Sequence, residues 1–344
     1  MMGIKGECYF KSGEDFNSKS FRIPFVEVTN NWVIIAGGDV RYDGPSDLGN
    51  ISIGITRKIT SESKWVHKQV VLDNHRKVEN SRIIDGCILV DRSVNRTFIF
   101  GHCIDSDHLW EREKDPSNID AYMVYTYSDD DGETWSDEIS LKHLKDDTMV
   151  SLFPAPGKGI QLDDGTLVVP CQIKTNEDNV PQIQSTLIYS KDGGQTWHHN
   201  KGRVSEFSSE CQLVEIEPGK IVINCRGYCG YRRVFITEDL GTTFIPHETN
   251  CNTLIEPVAC QGSLDKVSFN GKDIYVFCNP NDSKERKNIT LKYSEDLVNW
   301  NELITLVEEE TYGYTCVTHH KENLYIAVER TGDMELYMLN VNNI

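Results

Sequence analysis

What the chain lacks narrows its role before anything it contains. No apolar run approaches the length of a membrane span; runs such as Val33–Ala36 stop after a few residues. The opening MMGIKGECYFKSGEDF has no apolar core of a secretory signal. A cytoplasmic location is therefore expected, with secretion through a removed signal as the alternative, and sequons such as those at Asn50, Asn95 and Asn288 are read as coincidental. Positive charge is scarce: 35 Lys and Arg face 53 Asp and Glu, a formal net charge of −18. A field of that sign argues against nucleic acid or an anionic membrane as partner. It also means that an anionic substrate would need arginines gathered in a pocket. The eleven cysteines are odd in number, irregular in spacing and without a CxxC pair, so reduced, mostly buried thiols are expected. Cys225 and Cys229 lack the second pair a zinc site would use, and no metal or cofactor is expected. No stretch has the composition of a disordered tail.

What is present is a repeat. Ser128-Asp129-Asp130-Asp131-Gly132-Glu133-Thr134-Trp135 returns as Ser190-Lys191-Asp192-Gly193-Gly194-Gln195-Thr196-Trp197. It returns again as Thr237-Glu238-Asp239-Leu240-Gly241-Thr242-Thr243-Phe244 and, shortened, as Ser294-Glu295-Asp296-Leu297-Val298-Asn299-Trp300; Trp65 is a candidate for a further relic. Alternating strand-like runs precede them at Ala121–Tyr127, Ser185–Tyr189, Arg233–Ile236 and Ile289–Tyr293. Each octet reads as a hairpin turn in which Asp caps turn amides, Gly takes positive φ and Thr-Trp begins the returning strand. Strands at a fixed period with no helical pattern predict an all-β propeller with four strands per blade. A repeat of roughly 55 residues in 344 gives about six blades, with residues 1–344 as a single domain. The aspartates of the octets are turn braces on this reading, which supports a fold and says little about function.

Function rests on residues that do not repeat. Phe21-Arg22-Ile23-Pro24 is followed by Arg41-Tyr42-Asp43-Gly44-Pro45-Ser46-Asp47, which sets Asp47 25 residues after Arg22. Ser209-Glu210-Cys211-Gln212 leads to Asn224-Cys225-Arg226, and Asn279-Pro280 leads to Arg286-Lys287-Asn288-Ile289-Thr290. Gly313-Tyr314-Thr315 and Leu324-Tyr325, with Glu329 beyond, complete the series. Taken singly these are ordinary: Arg286 a solvated charge, Tyr314 a core residue, Glu210 a strand end, Asp47 a turn former. In this order, and on a propeller with Asp boxes, the chain resembles the exo-sialidase family, above all its small single-domain bacterial members.

The resemblance implies an enzyme that hydrolyses terminal sialic acids on glycans with retention. Arg22, Arg226 and Arg286 would grip the substrate carboxylate with planar, permanently charged forks. Tyr314 would be the nucleophile, Glu210 the base that takes its proton, and Asp47 the acid and base at the leaving oxygen. A neutral phenol suits a sugar whose carboxylate sits on the reacting carbon and would repel an attacking carboxylate; sialidases with a tyrosine nucleophile are a recognised exception to the two-carboxylate pattern. Asp85, with Arg41, would bind the O4 hydroxyl, and Glu329 would orient Arg22. Where small relatives carry a tryptophan ahead of the first Asp box this chain has Asp120-Ala121, leaving Trp110 as the candidate for the acyl pocket. A trans-sialidase or intramolecular trans-sialidase would use the same residues with another acceptor. A carbohydrate-binding propeller without catalysis is the reading from a different class. A monomer is expected. His319 and His320 are read as a polar turn without a partner cluster, and Arg232 and Arg233 as structural.

Overall fold

The structure is a computed structural model, and it describes residues 4–62, 64–74, 81–104, 120–177, 180–204, 207–257, 259–269, 271–330 and 335–342. Among these the chain is all β, with one 3-10 turn at Lys142–Leu144 and no helix long and apolar enough to cross a membrane. It opens with β1 (Ile4–Phe10) and lays down β2 (Ser20–Val28), β3 (Val33–Arg41), β4 (Ile51–Ile59), β5 (Val66–Leu72), β6 (Arg82–Asp91), β7 (Arg96–Ile104), β8 (Ala121–Ser128) and the short β9 (Ile139–Ser140). β10 (Met149–Pro154) begins another sheet with β12 (Ile160–Gln161), β13 (Leu167–Glu177) and β14 (Val180–Ser190), while the two-residue β11 (Gly157–Lys158) crosses back to pair in parallel with β6. β15 (Cys211–Glu217), β16 (Lys220–Cys225), β17 (Arg233–Thr237) and β18 (Ile245–Pro246) form one antiparallel sheet; β19 (Ser263–Phe269), β20 (Lys272–Pro280), β21 (Ile289–Ser294) and β22 (Asn301–Val307) form the next. The last sheet is β23 (Thr315–His320), β24 (Asn323–Arg330) and β25 (Glu335–Asn342), completed on its outer edge by β1, with Ile4 opposite Val341.

The expected six separate blades are corrected by this pairing. The propeller arrangement has four four-stranded blades, and the strands from β2 to β9, with β11, are joined in one nine-stranded sheet. The joints are small: Ile51 beside Arg82 links β4 to β6, and Gly157 and Lys158 pair with Cys87 and Ile88. Neither joint has a sequence period, because each is one or two residues long.

The octets are turns, and their side chains hold them. In the first, Ser128 Oγ donates to Asp130 Oδ1 at 2.8 Å and accepts from Gly132 N at 2.9 Å. Asp130 accepts from Thr134 N at 2.9 Å and from Thr134 Oγ1 at 2.6 Å. Ser190, Asp192, Gly194 and Thr196 repeat the set, as do Thr237, Asp239, Gly241 and Thr243. Each full octet bends through two consecutive left-handed residues, Asp131 and Gly132, Gly193 and Gly194, or Leu240 and Gly241; the shortened one uses Leu297 alone, at φ 63°. Burial pushes the Asp192 carboxyl up, but the Thr196 and Ser190 hydrogen bonds outweigh it and hold it at about 2.

Near the inner edges of the sheets, Lys158 Nζ lies 2.8 Å from Asp265 Oδ1 and 3.4 Å from Glu27 Oε2. Asp265 Oδ2 meets His319 Nδ1 at 2.9 Å, and Glu27 Oε1 accepts from Thr318 Oγ1 and Arg92 Nη2. His319 therefore belongs to an ion cluster that lines a cavity of about 240 Å³, contrary to its reading as a residue of a polar turn. Arg232 is structural as expected: fully buried, it donates to Glu256, Asn224 and the Cys260 carbonyl.

Candidate active site

The non-repeated residues converge from distant parts of the chain on a second cavity of about 240 Å³. Its polar wall includes Arg22, Asp47, Asp85, Glu210, Arg226 and Tyr314. Arg22 lies in β2 where the ladder slips, pairing passing from Arg22 opposite Asp39 to Phe25 opposite Gly37. The slip leaves Ile23 in left-handed backbone at φ 58°, an outlier for a β-branched residue. Glu329 in β24 holds this bend: its Oε1 accepts from Ile23 N at 2.7 Å and lies 3.4 Å from Arg22 Nε, and its Oε2 accepts from Tyr314 N at 3.2 Å. Glu329 is 1% exposed. It therefore stands against Arg22 Nε and also fixes the backbone of Tyr314. Asp85 is likewise left-handed, at φ 61°, on a second ladder slip between Ile84 and Cys87. Such conformations cost of order 1–3 kcal/mol each, and both are spent at the cavity wall.

Tyr314 follows Gly313, whose φ of 91° suits glycine; a Cβ there would stand 2.7 Å from Cys260 Sγ. The turn delivers the Tyr314 ring to the cavity floor, where its hydroxyl donates to Glu210 Oε1 in a short hydrogen bond. Arg226 Nη1 completes a triangle, 2.8 Å from Glu210 Oε2 and 2.9 Å from the Tyr314 hydroxyl. Glu210 and Arg226 are brought face to face at the open ends of β15 and β16, where Arg226 N donates to Glu210 O at 2.7 Å. Burial, then the Glu210 charge, pushes the phenol well above its ordinary pKa, against the pull of Arg226, Arg22 and Arg286. Tyr314 is thus a neutral phenol with a carboxylate already placed to accept its proton.

Arg286 reaches the group from outside. Its guanidinium donates to the carbonyls of Tyr312, at 2.9 Å, and Ala259, at 2.7 Å, and stands over the Tyr314 ring at 5.7 Å. It does not line the cavity as Arg22 and Arg226 do. Arg41 is also set back: it is buried, donating to Asp47 Oδ1 at 2.6 Å, the Pro45 carbonyl at 2.7 Å and Asp39 Oδ2 at 2.8 Å. Asp47 projects from the loop between β3 and β4 with its side chain 56% exposed, and Arg22 Nη1 approaches it at 3.4 Å. Burial raises the Asp47 carboxyl, but Arg41 and then Arg22 outweigh it and leave it below its usual range. Asp85 is driven the other way, by burial and then by the charges of Asp39, Glu210 and Asp47.

Trp110 lies outside the described residues. Besides Ile23 of the first motif, the cavity wall has an apolar part made by Ile84, Phe153 and Ile183, with Gln172 beside them. None of these was singled out in the sequence, since each reads as one more strand residue. Asp39 was also missed; it is fully buried under Arg41, and burial, opposed by Arg41, brings its carboxyl to about 7. The signal for it was present, because Asp39 and Arg41 are two apart in a strand and so share a face. Tyr228, 59% exposed at the cavity mouth, was missed as well.

Comparison with known proteins agrees in extent. Residues 40–326 match the BNR repeat-like domain. A protein named sialidase from Bacteroides fragilis is 34% identical over 339 residues, which cover 92% of this chain and 61% of that protein. Another sialidase, from Clostridium perfringens, is 29% identical over 94% of this chain and 90% of its own length. Among solved structures, the Hadza microbial sialidase Hz136 superposes with a TM-score of 0.89 at 29% identity, over 98% of this chain and 68% of that one. The chain thus spans about three fifths of the Bacteroides relative. With the match running over most of its residues, the chain belongs to the BNR repeat-like domain family.

Proposed function

We propose that the chain is an exo-α-sialidase that cleaves terminal sialic acids from glycans with retention, through a covalent intermediate on Tyr314. One observation carries this reading: a buried tyrosine hydroxyl donates to Glu210 inside a cavity lined by Arg22 and Arg226. Glu210 takes the phenol proton as the Tyr314 oxygen bonds to the anomeric carbon, and Asp47 gives a proton to the departing oxygen. Water activated by Asp47 then breaks the tyrosyl bond, and the proton returns from Glu210 to Tyr314. In the free site Asp47 is held ionised by Arg41 and Arg22. A substrate carboxylate on Arg22 neutralises one of those cations, which raises Asp47 toward the protonated form an acid requires.

The rest of the cavity fits the remainder of the sugar. Asp85, whose pKa is raised, can donate as well as accept toward a ring hydroxyl, and Arg41 with Asp39 braces Asp47 from behind. Ile84, Phe153 and Ile183 offer an apolar wall to an acyl group. Tyr228 favours a second reading, transfer to a sugar acceptor, because an exposed aromatic at the mouth can stack on a pyranose ring. The experiment is turnover of a fluorogenic sialoside with and without excess lactose. Tyr314→Phe is expected to lose kcat by on the order of 10³-fold with KM little changed. An undiminished rate in that variant sinks the mechanism, and free sialic acid as sole product removes the transfer reading.

A further inference from the structure

Eight of the eleven cysteines are buried, as the composition suggested. Two of the others meet beside the site. Cys229 is exposed, Cys251 is half-buried, and their sulfur atoms stand 2.6 Å apart. The segments that carry them are already bound side by side: Cys251 N donates to Arg232 O at 3.0 Å, Arg232 N to Leu254 O at 2.8 Å, and Tyr231 bridges to Ile255. Glu256 N donates to Gly230 O at 3.1 Å, and Gly227 N donates to Glu256 Oε1 at 2.9 Å. The sulfurs are thus held in register by surrounding pairs rather than brushing past each other. Among the described residues no third His, Cys, Asp or Glu joins them in a metal-binding group, so the chemistry available is that of a dithiol.

We infer that Cys229 and Cys251 form a reversible disulfide that fastens the rim loop carrying Tyr228. The exposed Cys229 thiolate attacks an oxidised low-molecular-weight disulfide such as glutathione disulfide, releasing one thiol and leaving a mixed disulfide. Cys251 then displaces the second thiol. In total two cysteine thiols lose two electrons and two protons, and one glutathione disulfide becomes two glutathione molecules. The loop concerned runs from Arg226, which contacts Tyr314 and Glu210, to Gly230, and Tyr228 lies one residue from the sulfur. In a reducing compartment the pair stays open, and in an oxidising one it closes and pins the cavity mouth. The inference rests on the placement of the two sulfurs and stands whatever reaction the cavity performs.

The protein is equilibrated in glutathione buffers from reduced to oxidised, quenched in acid, alkylated, unfolded and mapped by mass spectrometry. A peptide cross-linking Cys229 to Cys251 is expected to grow with the oxidised fraction. Amide exchange over residues 227–231 should slow by about tenfold or more in the oxidised form, because a closed loop opens less often. Cys229→Ser and Cys251→Ser should each abolish that slowing. Alkylation of both cysteines across the whole series overturns the inference, as does a redox-dependent exchange rate that survives in both variants.

Discussion

At the scale of the residue, Glu329 ties together two parts of the site that the sequence separates by most of its length. Its carboxylate meets Arg22 from one blade edge and the Tyr314 amide from another, while satisfying the strained Ile23 backbone. A hydrogen bond to a charged group in such a place is worth about 1.5–3 kcal/mol. Glu329→Gln keeps the shape and loses the charge, so kcat/KM should fall about 10- to 100-fold, mainly through KM, as steady-state kinetics on a sialoside would measure. Restoring the carboxylate one carbon shorter, as Glu329→Asp, should recover little, because both oxygens are in use. Arg22, Asp47, Glu210, Arg226 and Tyr314 were legible in the sequence because each sits in a short motif in a fixed order. The apolar residues Ile84, Phe153 and Ile183 were not, because they differ from other buried strand residues only in where the sheet turns them.

At the scale of the element, the Asp box is a turn whose side chains replace the backbone partners that a tight bend leaves open. Four contacts converge on Ser190 and Asp192 in the second box, three of them onto the Asp192 carboxylate. Removing a side chain that caps turn amides costs about 1–2 kcal/mol. Asp192→Ala should therefore lower stability by about that amount in urea unfolding, with kcat on the fluorogenic sialoside unchanged, since the box is not part of the cavity wall. These turns were legible because a turn's chemistry is written in adjacent residues. The fusion of the strands from β2 to β9 was not, because it depends on Ile51 meeting Arg82 and on two residues of β11 reaching β6. Such joints have no local signature, so a repeat count gave six blades where the pairing gives four and a nine-stranded sheet.

At the scale of the whole molecule, the Lys158 cluster ties the inner edges of β2, β11, β19 and β23 together. The Asp265 carboxyl, raised by burial but pulled down further by Lys158 and His319, titrates at about 2 against an ordinary 3.8. A depressed carboxyl stabilises the fold fully above its unfolded value, and the contribution is lost as pH falls through the folded value. Urea stability should therefore drop between about pH 4 and pH 2. In Asp265→Asn that share of the drop should vanish, while stability at pH 7 is lower by about 3–5 kcal/mol, because Lys158 is left buried with Glu27 as its remaining carboxylate partner. A variant as stable as the parent at pH 7 would show that the cluster is not holding the sheets together.

β1 pairs with β25, and the cavity takes Arg22 from one end of the chain and Tyr314 and Glu329 from the other. A nascent polypeptide emerging from the ribosome has Arg22 long before it has Tyr314. Until β23 and β24 have been synthesised, it can assemble neither the brace behind Arg22 nor the phenol opposite Glu210. A polypeptide that stops between Arg226 and Tyr314 therefore carries Arg22, Asp47, Glu210 and Arg226 without the phenol they surround, and the proposed nucleophile is the last of the cavity's residues to arrive.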